Sequence, residues 1–218
     1  MLASGAPTLT SVIPDLQPLD VQLSARLGDD VIIRGRQLPS DGFVARFTNV
    51  RLETPINLDK PLPGTSETEI KYHLPSPVEE PAALATWIPG FYNLALLVKR
   101  PAPLVWATNE VPFLLAPTIS ITTPSPVAAG DLIELTCAPR LREGQRVLLL
   151  FGDRQLPPKT ISTPADPTQL TTLTFEVPAV NKGFYVVRLR VDGVDSLPVI
   201  REGAPPILQF DPKQTVEV

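Results

Sequence analysis

Gly183-Phe184-Tyr185-Val186-Val187-Arg188-Leu189-Arg190-Val191-Asp192-Gly193-Val194 is the stretch whose pattern decides the fold. Tyr185, Val187, Leu189 and Val191 fall on one side of a period of two, and Val186, Arg188 and Arg190 fall on the other. Successive side chains of a strand point to opposite faces, so this pattern predicts a strand with one face in a core. Asp192-Gly193 follows at once and predicts a tight hairpin, because that pair tolerates the positive φ of a type I′ turn.

Gly90-Phe91-Tyr92 opens a second strand of the same kind, with Tyr92, Leu94, Leu96 and Val98 in phase. Other landmarks also come twice and in the same order. Ala6-Pro7 with Pro14 matches Ala116-Pro117 with Pro124, and Gly28-Asp29 before a strand matches Gly130-Asp131. Asp41-Gly42 matches Glu143-Gly144, and the strand-closing Leu74-Pro75 matches Val177-Pro178. Self-similarity of this kind marks a duplicated unit. Two domains are therefore expected: 1–116 with an inserted loop at 76–89, and 117–218 with a C-terminal strand. The interval from Pro75 to Gly90 is three times that from Pro178 to Gly183, which is what identifies the insertion. A third Ala204-Pro205 with Pro212 precedes the final residues. It reads either as the opening of a third copy or as a last strand completing the second domain, and the latter is favoured because so short a tail cannot fold alone.

Composition agrees with strands. Pro supplies 27 of 218 residues, about 12% against an average of ~5%. An interior Pro costs a helix ~3 kcal/mol or more, which excludes a mainly helical chain. A hydrophobic fraction of 43% excludes a disordered one. The fold class expected is all-β, with two tandem sandwiches of roughly seven strands per ~100 residues. Net charge is −4, shared evenly: 9 basic and 12 acidic residues up to Ala116, and 10 and 11 after it. Neither half carries the basic footprint of a nucleic-acid binder. The longest aliphatic stretches are five residues, at 94–98 and 147–151, far short of the ~18 of a membrane helix.

The inventory for catalysis is thin. His73 and Cys137 are the single residues of their types, so no zinc spacing can be built and no disulfide can form. His73 lies opposite in phase to Tyr72 and is expected to face solvent. Cys137 is in phase with Ile133 and Leu135 and is expected in the core. Asp29, Asp30, Asp131, Asp192 and Asp195 do not form the alternating ligand loop that calcium needs. Neither a GxxxxGK[ST] nor a GxGxxG phosphate loop is present. No catalytic residue, metal or cofactor is expected, and an enzyme with an unrecognised site ranks last among the alternatives.

Surface binding has more to offer. Ala95 and Leu97 occupy the outer face of one strand where the second copy has Arg188 and Arg190, and Val147–Phe151 is apolar on both faces. Two-sided apolar strands usually have their outer face covered, by the other domain, by a loop, or by a partner. Trp106 is expected to pack within its strand. Trp87, in the insertion, is expected either to plug the loop or to serve as an exposed contact. The candidate binding residues are thus Trp87, Leu97, Ala95, Arg188 and Arg190.

The paired landmarks resemble the IPT/TIG group of immunoglobulin-like domains. In this sequence they are Pro7/Pro14, Gly28-Asp29, Leu74-Pro75 and Gly90-Phe91-Tyr92, then Pro117/Pro124, Gly130-Asp131, Val177-Pro178 and Gly183-Phe184-Tyr185. The stretch from Tyr185 through Leu197-Pro198 also looks like the C-terminal immunoglobulin-like extension of tail-cap (tail terminator) proteins in bacterial contractile injection systems. The N-terminal cap domain of that family is absent from these residues. The resemblance therefore implies an accessory structural module with protein partners in a larger assembly, and no capping activity. The alternative is a carbohydrate- or cell-surface-binding module, free-standing or attached to a secreted enzyme. No nucleic acid, membrane insertion or small-molecule ligand is expected. With no basic and apolar leader at residues 1–7 and no disulfide, a cytoplasmic or particle-associated place in a bacterium is expected.

Overall fold

A computed structural model describes residues 6–15, 24–99, 105–202 and 207–218. The chain divides into two compact units, Met1–Pro81 with Phe91–Leu115, and Ala82–Gly90 with Ala116–Val218. Residues 82–89 of the expected insertion are grouped with the second unit, as are Gly90 and Ala116, both expected in the first domain. Residues 1–5 of the stretch read as carrying no leader, and the third Ala-Pro at 204–205, lie outside the described residues.

In the first unit, Thr8–Pro14, Asp30–Arg36 and Glu69–His73 form an antiparallel three-stranded sheet. A second sheet runs in the order Ser24–Ala25, Val111–Leu115, Gly90–Lys99, Phe43–Thr48, Ile56–Leu58, with Val105–Ala107 also on Gly90–Lys99. Alternation along Gly90–Lys99 sends Tyr92, Leu94, Leu96 and Val98 into the core, as the sequence pattern requires. Tyr92 joins Phe47 and Phe113 in an aromatic cluster, Phe47 and Phe113 meeting edge-on at 5.2 Å. Such contacts add ~0.5–1.5 kcal/mol beyond the area they bury.

The second unit repeats the plan. One sheet runs Thr118–Ile121, Leu132–Ala138, Thr171–Glu176, Thr160–Ser162. The other runs Arg154–Leu156, Val147–Phe151, Phe184–Val191, with Val194–Asp195 and Thr215–Glu217 both on Phe184–Val191. The terminal strand thus pairs Tyr185 with Val216 within this unit. Cross-strand pairs Leu149↔Leu189 and Val147↔Val191 face Ile133↔Phe175 and Leu135↔Leu173 across the core. Two sheets with alternating inward faces make each unit an immunoglobulin-like all-β sandwich.

The duplicated Gly-Asp dipeptides build the same knot twice. Gly28 (φ +92°) donates its N–H to the Leu74 carbonyl at 3.0 Å, and Gly130 (φ +89°) donates to Val177 at 2.9 Å. Asp29 and Asp131 accept from the N–H three residues upstream, of Arg26 and Ala128, both at 2.7 Å. Their own carbonyls accept from Leu74 at 2.9 Å and Val177 at 2.8 Å. The aspartates are thus spent on tying one strand's start to another's end. The Asp192-Gly193 turn has φ +47° and +90°, the double positive sign of type I′.

Candidate functional site

On the outer face of the second unit, Arg188 and Arg190 stand on the Phe184–Val191 strand across from Leu150 and Leu148. The Asp192-Gly193 hairpin returns Asp195 beside them. Arg190 donates through Nε and Nη2 to the two Asp195 oxygens at 2.5 and 3.0 Å, and Arg188 donates through Nη1 at 3.1 Å. Asp195 holds Arg190 further into its charged range. One carboxylate thus gathers two guanidinium groups, and both side chains remain partly open to solvent, Arg188 at 46% and Arg190 at 36%. The result is a basic patch set on a leucine floor.

Ala95 and Leu97 lie on the first unit and do not join that patch. Ala95 pairs with Arg46, and Leu97 with Val44. Ala95 is only 6% exposed and Val44 is buried, while Leu97 is half-buried. This face is therefore covered, as two-sided apolar strands generally are. Trp106, expected to pack, is half-buried in the Val105–Ala107 strand.

The inserted loop begins with Ser76 and Glu79 in a reciprocal cap: Ser76 N–H reaches Glu79 Oε2 at 3.0 Å, and Glu79 N–H reaches Ser76 Oγ at 3.2 Å. His73 adds Nε2 to Glu79 at 3.0 Å and Nδ1 to Asp30 at 2.7 Å. Both ring nitrogens face carboxylates, a geometry that suits imidazolium. Glu79 and Asp30 raise the His73 pKa above its usual value, and Ser76 with His73 brings Glu79 down to about 2. His73 is thus a surface fastener, 36% exposed in its side chain.

A single helical turn, Ala83–Thr86, follows. Residues 82–90 then fasten onto the rest of the second unit. Arg140 N–H donates to Leu84 O at 3.0 Å, and Arg142 Nη2 donates to Ala85 O. Gln145, 9% exposed, donates Nε2 to Pro89 O at 2.9 Å and to Asp192 Oδ2 at 3.1 Å, and accepts from Arg142 N–H at 2.9 Å. Trp87 is 1% exposed. Of the two roles open to it in sequence, the structure gives it that of a plug. Cys137 is fully buried, and burial pushes its thiol well above the ordinary range, away from nucleophilic use. Among the described residues no group of three or more His, Cys, Asp or Glu side chains could hold a metal ion, and no helix is long and apolar enough to cross a membrane.

Two features escape the sequence pattern. The first is an arm. Val199–Glu202 and Ile207–Phe210 pair with each other as a separate two-stranded sheet. Ile207, Leu208, Gln209 and Phe210 are all exposed, Phe210 at 66%. The arm is rooted in a buried polar network. Ser196 Oγ donates to Gln214 Oε1 at 2.7 Å and accepts from Leu189 N–H at 3.0 Å. Gln214 Nε2 donates to Leu197 O at 2.6 Å, and Asp211 N–H donates to Pro198 O at 2.8 Å. The sequence signal for the arm is an interval. The stretch from Val191 to Thr215 is nearly twice as long as its counterpart from Val98 to Val111.

The second feature is a pair of clefts. One of about 460 Å³ is lined by Leu141, Arg142, Gln145, Val147, Ile161 and Thr163. The other, of about 590 Å³, is lined by Gly152, Asp153, Arg154, Asn181 and Tyr185. There the Tyr185 ring stacks on Phe151 at 5.0 Å and its hydroxyl donates to Asn181 O at 2.7 Å.

Residues 117–217 match the profile of a family described as a domain of unknown function, DUF8756. No curated protein matches the chain. Similar solved structures include the Bacteroides ovatus mixed-linkage glucan utilization locus protein SGBP-B in complex with a mixed-linkage heptasaccharide. It is 12% identical over 89% of this chain, with a TM-score of 0.30, and this chain spans 43% of its length. The fibronectin(III)-like modules of Clostridium thermocellum CbhA are 16% identical over 95% of this chain and 93% of theirs, with a TM-score of 0.22. Murine CEACAM1b is 12% identical over 88% of this chain and 96% of its own, with a TM-score of 0.23.

Proposed function

We propose that this chain is a non-catalytic structural and interaction module, an accessory immunoglobulin-like region of a cap protein in a phage-tail-like contractile injection system. The observation that carries this is the strand and hairpin from Tyr185 to Leu197, the stretch of the tail-cap resemblance. Its outward side chains form the Arg188–Arg190–Asp195 cluster beside Leu148 and Leu150. A basic patch on an apolar floor suits docking onto an acidic protein surface, where desolvated Arg contacts carry much of the energy. IPT/TIG membership, bacterial origin and particle association belong to this same proposal.

The test is a pull-down of sheath, tube and baseplate components by residues 1–218 from the native cell, beside the Arg188→Glu/Arg190→Glu double variant. Specific capture that the double variant loses supports the proposal, and failure to retain any of these components removes it. A carbohydrate- or cell-surface-binding role loses the exposed Trp87 that motivated it, but the Tyr185 cleft offers an aromatic ring beside Asp153, Arg154 and Asn181. A glycan array read with Asp153→Ala as control decides that second role.

A further inference from the structure

We infer that this protein chains head to tail with copies of itself, the arm of one copy filling the Ile161 cleft of the next. The arm's outer strand, Ile207-Leu208-Gln209-Phe210, has no charge, no Pro and no inward face of its own. Natural edge strands are normally blunted by such residues, and an isolated two-stranded hairpin is marginal in water. This one is nonetheless held in place at its root by Ser196, Asp211 and Gln214, all buried and mutually hydrogen-bonded. A positioned, uncharged strand that exposes Leu208 and Phe210 on one face and Ile207 on the other is built to be covered.

The same unit supplies a receptor. The cleft opens between Val147, at the start of its strand, and Ile161, on Thr160–Ser162, the last strand of the other sheet. Arg154–Leu156 pairs only with residues 149–151, so it does not extend alongside Val147. Leu141, Val147 and the exposed Ile161 line the cleft with apolar surface. Its volume of about 460 Å³ lies within the ~300–1,000 Å³ of sites that enclose small ligands. Leu208 and Phe210, two residues apart, project from one side of the arm strand and so enter together. The cleft is lined by one charge of each sign, Arg142 and Glu143, as the arm's other strand carries one of each at Arg201 and Glu202, so neither side brings a net charge.

Strand order sets the partner. The arm leaves the sheet between Val194–Asp195 and Thr215–Glu217, while the cleft lies beyond Val147–Phe151, on the opposite edge. An arm on one edge cannot reach a cleft on the other in the same molecule, so the occupant is a second copy. Such a heterologous contact propagates into chains rather than closing as a dimer. The contact is small, which places it among weak associations.

The experiment uses the full chain in sedimentation velocity from micromolar to ~1 mM, with Phe210→Asp and Ile161→Asp variants. Both side chains are exposed in the monomer, so unchanged melting temperatures confirm that the variants fold. Wild type is expected to rise in mass with concentration past the dimer. Each variant alone is expected to weaken association at least tenfold. An equimolar mixture of the two is expected to give dimers that grow no further, since only one intact arm and one intact cleft can meet. A wild type that stays monomeric throughout overturns the inference. So does Ile161→Asp associating as strongly as wild type, since that marks an arm-to-arm contact, and so does a wild type that associates while the mixture does not, since one intact arm and one intact cleft are then not enough. No other assembly component enters the measurement, so its result is independent of the proposed particle association.

Discussion

Replacing Gln145 by Ala tests whether the inserted segment is fastened by the second unit. The Gln145 amide serves three groups at once, Pro89 O, Asp192 Oδ2 and the Arg142 N–H, at 2.9, 3.1 and 2.9 Å. Asp192 keeps its bond from Arg146 N–H at 2.9 Å, so its loss is partial. Each net bond contributes about 0.5–1.5 kcal/mol and each orphaned buried group costs ~1–3 kcal/mol. With partial wetting the expected loss is about 2–4 kcal/mol. At roughly 4 °C per kcal/mol, this lowers the melting midpoint by about 8–16 °C. Gln145→Glu keeps the length but turns the donor into an acceptor facing a carbonyl and a carboxylate, so it should destabilise at least as much. Calorimetry gives the midpoints, and hydrogen exchange should show lost protection in residues 83–90 before the Ile133–Cys137 strand opens. Midpoints within about 2 °C of wild type for both variants would refute the fastening role.

Three further outcomes are expected. His73, raised by Glu79 and Asp30, contributes stability that is complete below its unfolded value near 6.5 and fades as pH rises through its folded value. His73→Gln should erase that slope, and the single histidine ring resonance should titrate above 6.5; a titration at or below it contradicts the clamp. Gly130→Ala meets nothing within 4 Å but must hold φ +89°, an expected cost of ~1–2 kcal/mol. At Gly35 an added Cβ would lie 2.3 Å from Thr8 O and 2.6 Å from a Leu38 methyl, so Gly35→Ala should cost more, ~3 kcal/mol, and the reverse order in urea unfolding would count against the packing described. Leu97→Asp sets a carboxylate among buried Val44 and Ala95 and should cost about 1–3 kcal/mol; an unchanged melt would mean the face is open.

Much of the fold was legible because it is encoded locally. The period of two in Tyr185–Val191 and Tyr92–Val98 needs no tertiary knowledge, since a strand's geometry alone sorts the side chains. The Gly-Asp knots were legible as punctuation, and their repetition exposed the duplication. Their mechanism was not, because Asp29 and Asp131 bind neighbours three residues away while their carbonyls bind partners far along the chain, at Leu74 and Val177. Trp87 stayed ambiguous for a related reason. A tryptophan in a loop has no periodicity, and its burial depends on Arg140 and Gln145, which hold the loop from a distant part of the sequence.

The arm shows where counting landmarks misleads. Ala204-Pro205 with Pro212 fits the spacing of a domain start, but it falls inside an interval longer than its counterpart in the first copy. Between Val191 and Thr215 the second copy has nearly twice the chain that the first has between Val98 and Val111. The excess lies between two strands that both pair with Phe184–Val191, so it must leave the sheet and return. A chain that does so needs its root satisfied, and Ser196, Asp211 and Gln214 are polar residues buried for that purpose. Their hydrogen bonds link residues 189, 196–198 and 211–214. The two copies therefore diverge by insertion at two points: residues 76–89, where an exposed stretch at 78–82 leads into one buried around Trp87, and residues 198–211, where the chain is exposed along Ile207–Phe210. A buried insertion is explained by the molecule that contains it. An exposed apolar insertion on a satisfied root has its explanation outside that molecule, which is why the arm, rather than the tryptophan, directs the search for a partner.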